Sequence, residues 1–143
     1  MYGGCSEQLI SSLQILQNKS ARLVTKLDGS TPIATLLLQC GWMSVRQMIA
    51  FHSILLLHKS KQNKKPGYIY SKISTKFERR TRLGTTGGIK DTRNFGSTLA
   101  QASFLPRTIK MWNEQLPASI RSEESIDEFK EKLKTWIKKD IKI

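Results

Sequence analysis

The residues with the clearest chemical capacity are basic side chains gathered in one quarter of the chain. Residues 59–93 hold eleven of the 24 lysines and arginines but only two of the eleven acids. Lysine and arginine neutralise phosphates and release their counterions, and exposed aromatic rings stack on unpaired bases. The candidate nucleic-acid-binding residues are Lys59, Lys61, Lys64, Lys65, Tyr68, Tyr70, Lys72, Lys76, Arg79, Arg80, Arg82, Lys90 and Arg93. The alternative for the same pattern is a solvated basic loop whose tyrosines are buried in the core.

Residues for catalysis are scarce by comparison. Phosphoryl transfer by two metal ions needs converging carboxylates, but six of the eleven acids fall within residues 123–140, where helix capping and surface pairing account for most of them. The glycine-containing run 84–88 lacks the lysine of a phosphate-binding loop. The two cysteines lie too far apart for a zinc ribbon, and a nucleophilic pair of Cys40 with His52 or His58 is the catalytic alternative left open. We therefore expect no enzymatic activity, no metal site and no cofactor.

The overall charge narrows the class of partner. The formal net charge is +13, which favours a polyanion. The longest apolar stretch, residues 48–57, is interrupted by His52 and is too short to cross a bilayer. Residues 1–20 lack the basic start and apolar run of a secretory signal. Nucleic acid, RNA or DNA, is thus the predicted partner, with no membrane partner, and the expected location is nuclear or cytoplasmic.

The elements that position these side chains are predicted to be mainly helical. Apolar periodicity indicates one small α-helical domain spanning residues 1–143, with a helical part at 1–62, a basic, glycine-containing irregular or short-strand insert at 63–100, and C-terminal helices at 101–143. Helices are expected near residues 6–27, 32–39, 45–61, 104–115 and 126–139. Their predicted core contains Leu16, Ile49, Leu56, Trp112, Phe129 and Trp136. The candidate residues therefore lie in the least regular part of the domain.

Local signals predict where several helices begin and end. The sequence predicts Ser30 or Thr31 as an N-cap with Pro32 at the first helical position, and Gly41 predicts the end of the same helix. Ser44 is expected to cap the next helix. Ser125 and Glu128 have the spacing of a capping box, in which each side chain bonds the main-chain N–H of the other residue.

Several short segments together resemble a known family. Residues 13–22 (LQILQNKSAR) look like the helix that follows the reverse transcriptase domain in non-LTR (LINE-type) retrotransposon polyproteins. Residues 31–33 (TPI), 36–37 (LL) and 41–47 (GWMSVRQ) resemble that family's "TPI…LL…LGWLSVRQ". The later matches, in the same order, are residues 66–69 (PGYI), 81–82 (TR), 104–107 (FLPR), 112–113 (WN), 116–117 (LP), 120–121 (IR), Ser125 and 129–130 (FK). The resemblance covers nearly the whole chain.

The resemblance implies the C-terminal domain of such a polyprotein, downstream of the polymerase. The family's polymerase aspartates and endonuclease lie upstream, so the chain alone would lack both activities. The expected function is a noncatalytic accessory domain that binds template RNA or target DNA through its basic surface. Two alternatives stay open: a protein-interaction module that docks on the upstream polymerase thumb through its apolar faces, and a decayed element fragment with no activity. An exposed apolar face would favour docking.

Overall fold

The protein is described by a computed structural model that covers residues 6–74, 82–93, 96–97, 101 and 103–140. The described chain is mainly α-helical with a small two-stranded sheet, which confirms the predicted fold class. In chain order the described elements are α1 (Glu7–Thr25), α2 (Ile33–Cys40), α3 (Val45–Asn63), α4 (Gly67–Tyr70), β1 (Ile73–Ser74), α5 (Arg82–Thr85), β2 (Lys90–Asp91), α6 (Phe104–Lys110), a π-helical turn (Met111–Gln115), α7 (Ala118–Arg121) and α8 (Ile126–Asp140).

The five predicted helices are present with bounds close to those expected. Four of them begin and end within two residues of the prediction, and the fifth is α-helical in α6 and π-helical from Met111 onward. The short helices α4, α5 and α7 are not predicted by periodicity, because four residues are too few to show it. Residues 68–70, for which the sequence allows a helical turn or a short strand, form part of α4.

The chain divides into two compact units. The first contains residues 1–50 and 136–143, and the second contains residues 51–135. Both α3 and α8 contribute residues to each unit. This division into two units reflects how densely the residues pack. It does not test the prediction that residues 1–143 form a single domain.

In the first unit, α1 packs on α2 through a small apolar cluster, and two glutamines of α1 bond the main chain near the start of α3. The buried cluster is Ala21, Leu36 and Leu37. Gln14 accepts the Val45 N–H through Oε1 at 2.9 Å, and Gln17 donates through Nε2 to the Met43 carbonyl at 2.8 Å.

The prediction that Leu16 lies in the core is wrong, since its side chain is 59% exposed. Two of the other predicted core residues in this unit, Ile49 and Trp136, are only half-buried. The physical reason at Leu16 is the orientation of α1. Its glutamines satisfy main-chain groups near the start of α3 and its Ala21 packs on Leu36 and Leu37, so the side that carries Leu16 is left exposed.

The second unit is built around α3, whose apolar residues lie on several sides as the sequence predicts. Phe51, Ile54, Leu55 and Leu57 are all buried. Trp112 and Phe129, two more of the predicted core residues, have no exposed surface, while Leu56 is half-buried. The largest fully buried side chains of this unit, among the described residues, include Trp112, Phe129, Ile54, Leu57, Leu133 and His58.

The ends of α2 and the start of α3 can be compared with the capping residues predicted from the sequence. Gly41 ends α2 with φ 68°, as predicted. The start of α2 differs, because Pro32 itself is the N-cap and no side chain caps the helix. The Leu36 N–H bonds the Pro32 carbonyl, so the first helical hydrogen bond begins one residue later than predicted. Ser44 caps α3: its Oγ accepts the Gln47 N–H at 3.2 Å, while Gln47 Oε1 accepts the Ser44 N–H at 3.0 Å.

Only half of the capping box predicted at α8 is made. The Glu128 N–H reaches Ser125 Oγ at 3.5 Å, but the Ser125 N–H donates to Glu123 Oε1 at 3.3 Å instead of to Glu128. The Glu128 carboxylate lies 3.8 Å from Lys132 Nζ, one helical turn further along. Glu123 also pairs with Lys132, and this hydrogen bond lowers the pKa of Glu123 and raises that of Lys132.

Candidate nucleic-acid interface

The structure describes ten of the thirteen candidate residues, all in the second unit. Lys76, Arg79 and Arg80 lie outside the described residues. Lys61 and Arg93 are half-buried. The exposed members are Lys59, Lys64, Lys65, Tyr68, Tyr70, Lys72, Arg82 and Lys90. Most of the predicted site is therefore at the surface.

Helix α4 presents two aromatic rings outside the core. Lys64 adopts a left-handed backbone conformation (φ 57°) directly after α3, which turns the chain out of that helix. Within α4, Ile69 is buried and anchors the turn, while Tyr68 is 71% exposed and Tyr70 is 39% exposed. Successive helical side chains point about 100° apart, so the tyrosines lie on either side of Ile69. Tyr68 in particular has a ring face available to a ligand, contrary to the alternative in which the tyrosines are core residues.

A short antiparallel ladder brings two lysines from distant parts of the sequence together. In the register, Ile73 is opposite Asp91 and Ser74 is opposite Lys90. The Thr92 N–H donates to the Lys72 carbonyl at 2.9 Å, which extends the pairing by one residue. Because side chains alternate between the two faces of a strand, Lys72 and Lys90 project from the same face of the ladder.

The strand that carries Lys90 is held from behind by the π-helical turn. Trp112 donates through Nε1 to the Gly87 carbonyl at 2.9 Å. Asn113 makes two bonds with Ile89: its Oδ1 accepts the N–H at 3.0 Å and its Nδ2 donates to the carbonyl at 2.7 Å. These bonds fix the backbone immediately before Lys90, so that lysine projects from an anchored strand.

The sequence did not predict that Asn113 and the neighbouring pair Gly87 and Gly88 support the strand that carries Lys90. Gly87 has φ 75°, a conformation that favours glycine. A Cβ at Gly88 would lie 2.5 Å from Leu83 Cγ and 2.7 Å from the Leu83 carbonyl oxygen. The paired glycines were the available signal, because glycine next to a strand often marks a tight bend or the close approach of another backbone.

Lys61 and Arg93 are engaged with the fold rather than with the exposed lysines. Lys61 Nζ lies 5.7 Å from the centroid of the Trp112 ring, and burial lowers the pKa of this lysine. Arg93 bonds Asp91 through Nε at 3.1 Å and through Nη2 at 3.0 Å. Lys61 and Arg93 therefore stabilise the fold of the basic segment, residues 59–93, that carries the exposed lysines.

Behind this surface lies a stack of three aromatic rings. The centroids of His58 and Phe129 are 3.8 Å apart with nearly parallel planes, and those of Phe129 and Trp112 are 5.7 Å apart. Neither ring nitrogen of His58 has a hydrogen-bond partner within the described part of the chain. Burial lowers the pKa of His58 to about 4, with a further lowering by Lys61 and an opposing effect of Glu123. A neutral, enclosed imidazole of this kind supports the core and is poorly placed to exchange protons with a substrate.

Over the described ranges, His, Cys, Asp and Glu form no group of three or more that could hold a metal ion. Nor does any helix in those ranges have the length and apolar character needed to span a membrane. The chain matches no protein-family model, no curated protein and no solved structure.

Proposed function

We propose that the chain is a noncatalytic nucleic-acid-binding domain, the C-terminal accessory domain of a non-LTR retrotransposon reverse transcriptase. The observation that carries the binding proposal is the exposed ring of Tyr68, set in a segment with a net charge of +9 over residues 59–93. The family assignment is supported by the ordered sequence resemblance from residue 13 to residue 130.

The proposed contacts are of two kinds. Exposed lysines, among them Lys64, Lys65, Lys72 and Lys90, neutralise phosphates of the backbone. Tyr68 stacks on an unpaired base, which adds affinity for single strands with little dependence on sequence. A duplex offers phosphates but keeps its bases paired, so only the first kind of contact applies to it.

The preference for single-stranded nucleic acid therefore depends on the Tyr68 ring as well as on the positive charge of the lysines. Tyr68 occupies the first half of α4, and Lys72 follows four residues later, after Ser71 continues the helical turn. Lys72 therefore comes just beyond the Ser71 C-cap, four residues from Tyr68 along the chain, and both side chains are exposed. A base on the tyrosine ring would thus have a positive charge near its phosphate.

The test is titration of the full chain with single-stranded RNA, single-stranded DNA and duplex DNA. Binding is measured by the fluorescence anisotropy of the labelled nucleic acid. Tyr68→Leu removes the ring but keeps apolar bulk, and Tyr68→Phe keeps the ring. The leucine variant should weaken single-strand binding by about 1–3 kcal/mol and leave duplex binding unchanged, whereas the phenylalanine variant should bind like the parent.

The melting temperature of both variants provides the control, since a side chain that is 71% exposed contributes little to the core. Equal affinity of the leucine and phenylalanine variants for single strands would contradict the stacking contact. No measurable binding of any nucleic acid by the parent chain would contradict the proposed function.

A further inference from the structure

The first unit exposes a continuous apolar surface on α1. Its members, called here the α1 stripe, are Leu9, Leu13, Leu16, Ser20, Leu23 and Val24. Every apolar member is at least 36% exposed, and Leu23 is 80% exposed. From Leu9 to Leu23 the stripe runs about 21 Å, at 1.5 Å of helical rise for each residue. Isolated exposed leucines are ordinary, but a stripe of this length marks an interaction surface.

The spacing within the stripe is that of a helix–helix seam. Leu9, Leu13, Leu16, Ser20 and Leu23 follow one another at intervals of four, three, four and three residues. This alternation is the heptad pattern of a and d positions, which keeps one seam facing a partner helix. The orientation of the seam is fixed within the unit, since the Gln14 and Gln17 bonds described above hold the flank of α1 next to it.

At its centre the stripe meets a groove. Ser20 is small, and its hydroxyl donates to the Leu16 carbonyl of its own helix at 3.0 Å. The space beside it is lined by Gln17, Trp42, Met43 and Met48. Aromatic and methionine side chains are enriched at the centres of protein interfaces, and a groove opposite a small residue accepts a large side chain from a partner.

The border of the stripe away from this groove is basic. Lys19, Arg22 and Lys26 lie along it and, with Leu23 and Leu27, line a second open groove. Arg22 donates to main-chain carbonyls, and Lys19 and Lys26 make no ion pair with the residues that the structure describes. In heptad terms Lys19 occupies a g position, where charged residues choose a partner by its charge, and Lys26 follows the helix directly as its C-cap.

We propose that the α1 stripe binds an amphipathic helix of another protein whose apolar seam is flanked by aspartate or glutamate. Charge complementarity with Lys19 and Lys26 selects this partner. A second copy of the chain would bring the same lysines to the seam, and the only acid of its α1, Glu7, pairs with Arg46. A lipid surface is flat and does not fill the groove at Ser20. This inference is independent of the nucleic-acid interface, which lies in the other unit.

The probe is a designed helical peptide with leucine at a and d and glutamate at e and g, titrated against the full chain. A second peptide, with lysine in place of each glutamate, is the charge control. The acidic peptide should bind and the basic peptide should not, and added salt should weaken the acidic complex because it screens exposed charges.

Two substitutions on adjacent residues separate the stripe from the rest of the helix. Leu16→Ser removes a seam residue, and Ile15→Ser removes a side chain of similar exposure (54% against 59%) about 100° round the helix. Leu16→Ser should weaken the acidic peptide about tenfold or more, because the burial of one leucine is lost, and Ile15→Ser should leave it unchanged. Both variants should fold and bind nucleic acid like the parent.

Other outcomes overturn the proposal. These are failure of the acidic peptide to bind, equal binding of both peptides, and equal effects of the two substitutions. Sedimentation showing self-association that Leu16→Ser abolishes would assign the stripe to a second copy. Binding to anionic lipid vesicles through Leu16, without peptide binding, would assign it to a membrane surface.

Discussion

Protonation of His58 should destabilise the folded chain as the pH falls from about 6.5 to about 4. In the folded state burial holds the pKa of the imidazole at about 4, while in the unfolded chain it returns to its ordinary value of 6.5. Between these values the unfolded chain binds a proton that the folded chain does not. The free energy of unfolding therefore rises with pH through this window, is fully recovered above pH 6.5, and is independent of this group below pH 4.

The magnitude follows from the shift. A difference of about 2.5 pH units, at about 1.36 kcal/mol for each unit, corresponds to about 3 kcal/mol. The structural cause is the ring stack, in which His58 lies 3.8 Å from Phe129 and 6.1 Å from Trp112 between ring centroids and has no hydrogen-bond partner in the described chain. Lys61 adds to the cost of charging the ring and Glu123 reduces it.

The assay is urea unfolding from pH 4 to pH 7 of the parent, of His58→Phe and of His52→Gln. The phenylalanine keeps a ring in the stack but does not titrate, so the difference in free energy of unfolding between it and the parent should change by about 3 kcal/mol across the window. The exposed His52 provides the control, and its variant should follow the parent. A pH-independent difference for His58→Phe, or an NMR titration of His58 near pH 6.5 in the folded chain, would refute the reasoning.

Two predictions concern the backbone around the sites. Gly88→Ala places a Cβ against the Leu83 carbonyl and should cost about 1–3 kcal/mol in thermal unfolding, while Gly29→Ala, with open space around it, should cost less than about 1 kcal/mol; equal costs would contradict the close approach. Ser44→Ala should cost about 1–2 kcal/mol because it removes the cap oxygen that accepts the buried Gln47 N–H, and more than Ser125→Ala, whose bond is 3.5 Å long; the reverse order would contradict the assignment of the caps.

The sequence predicted the long helices because their apolar residues repeat at helical spacing, but periodicity does not say which face of a helix is inside. On α1 it identified the stripe that contains Leu16, and the structure leaves that stripe exposed. The glutamine bonds that orient α1 join residues up to 31 positions apart, which no local pattern reveals. The reciprocal cap formed at Ser44 and Gln47 rather than at Ser125, although both have the required spacing.

In the candidate nucleic-acid interface, too, the sequence predicted the residues but not their arrangement. Charge clustering identified the basic segment, since composition is visible without structure. The exposure of Tyr68 and the common face of Lys72 and Lys90 depend on a turn and on a two-residue ladder, both too short for sequence periodicity. The bonds between Asn113 and Ile89 span 24 positions, so the support behind Lys90 was equally hidden.

The salt dependence of single-strand binding tests the central claim, that the basic segment contacts phosphates. Two variants of the full chain lose four exposed lysines each. The first replaces lysines of the interface by glutamine: Lys64, Lys65, Lys72 and Lys90. The second replaces lysines of α8: Lys130, Lys134, Lys138 and Lys139. The two have the same net charge, so a general charge effect is common to both.

For each protein the logarithm of the binding constant is plotted against the logarithm of the salt concentration. Each phosphate contact with a single strand contributes about 0.7 to the slope, so the interface variant should have a slope flatter by about 2–3, and the α8 variant should keep the slope of the parent. An unchanged slope in the interface variant, or equal flattening in both variants, would show that residues 59–93 are only a solvated surface.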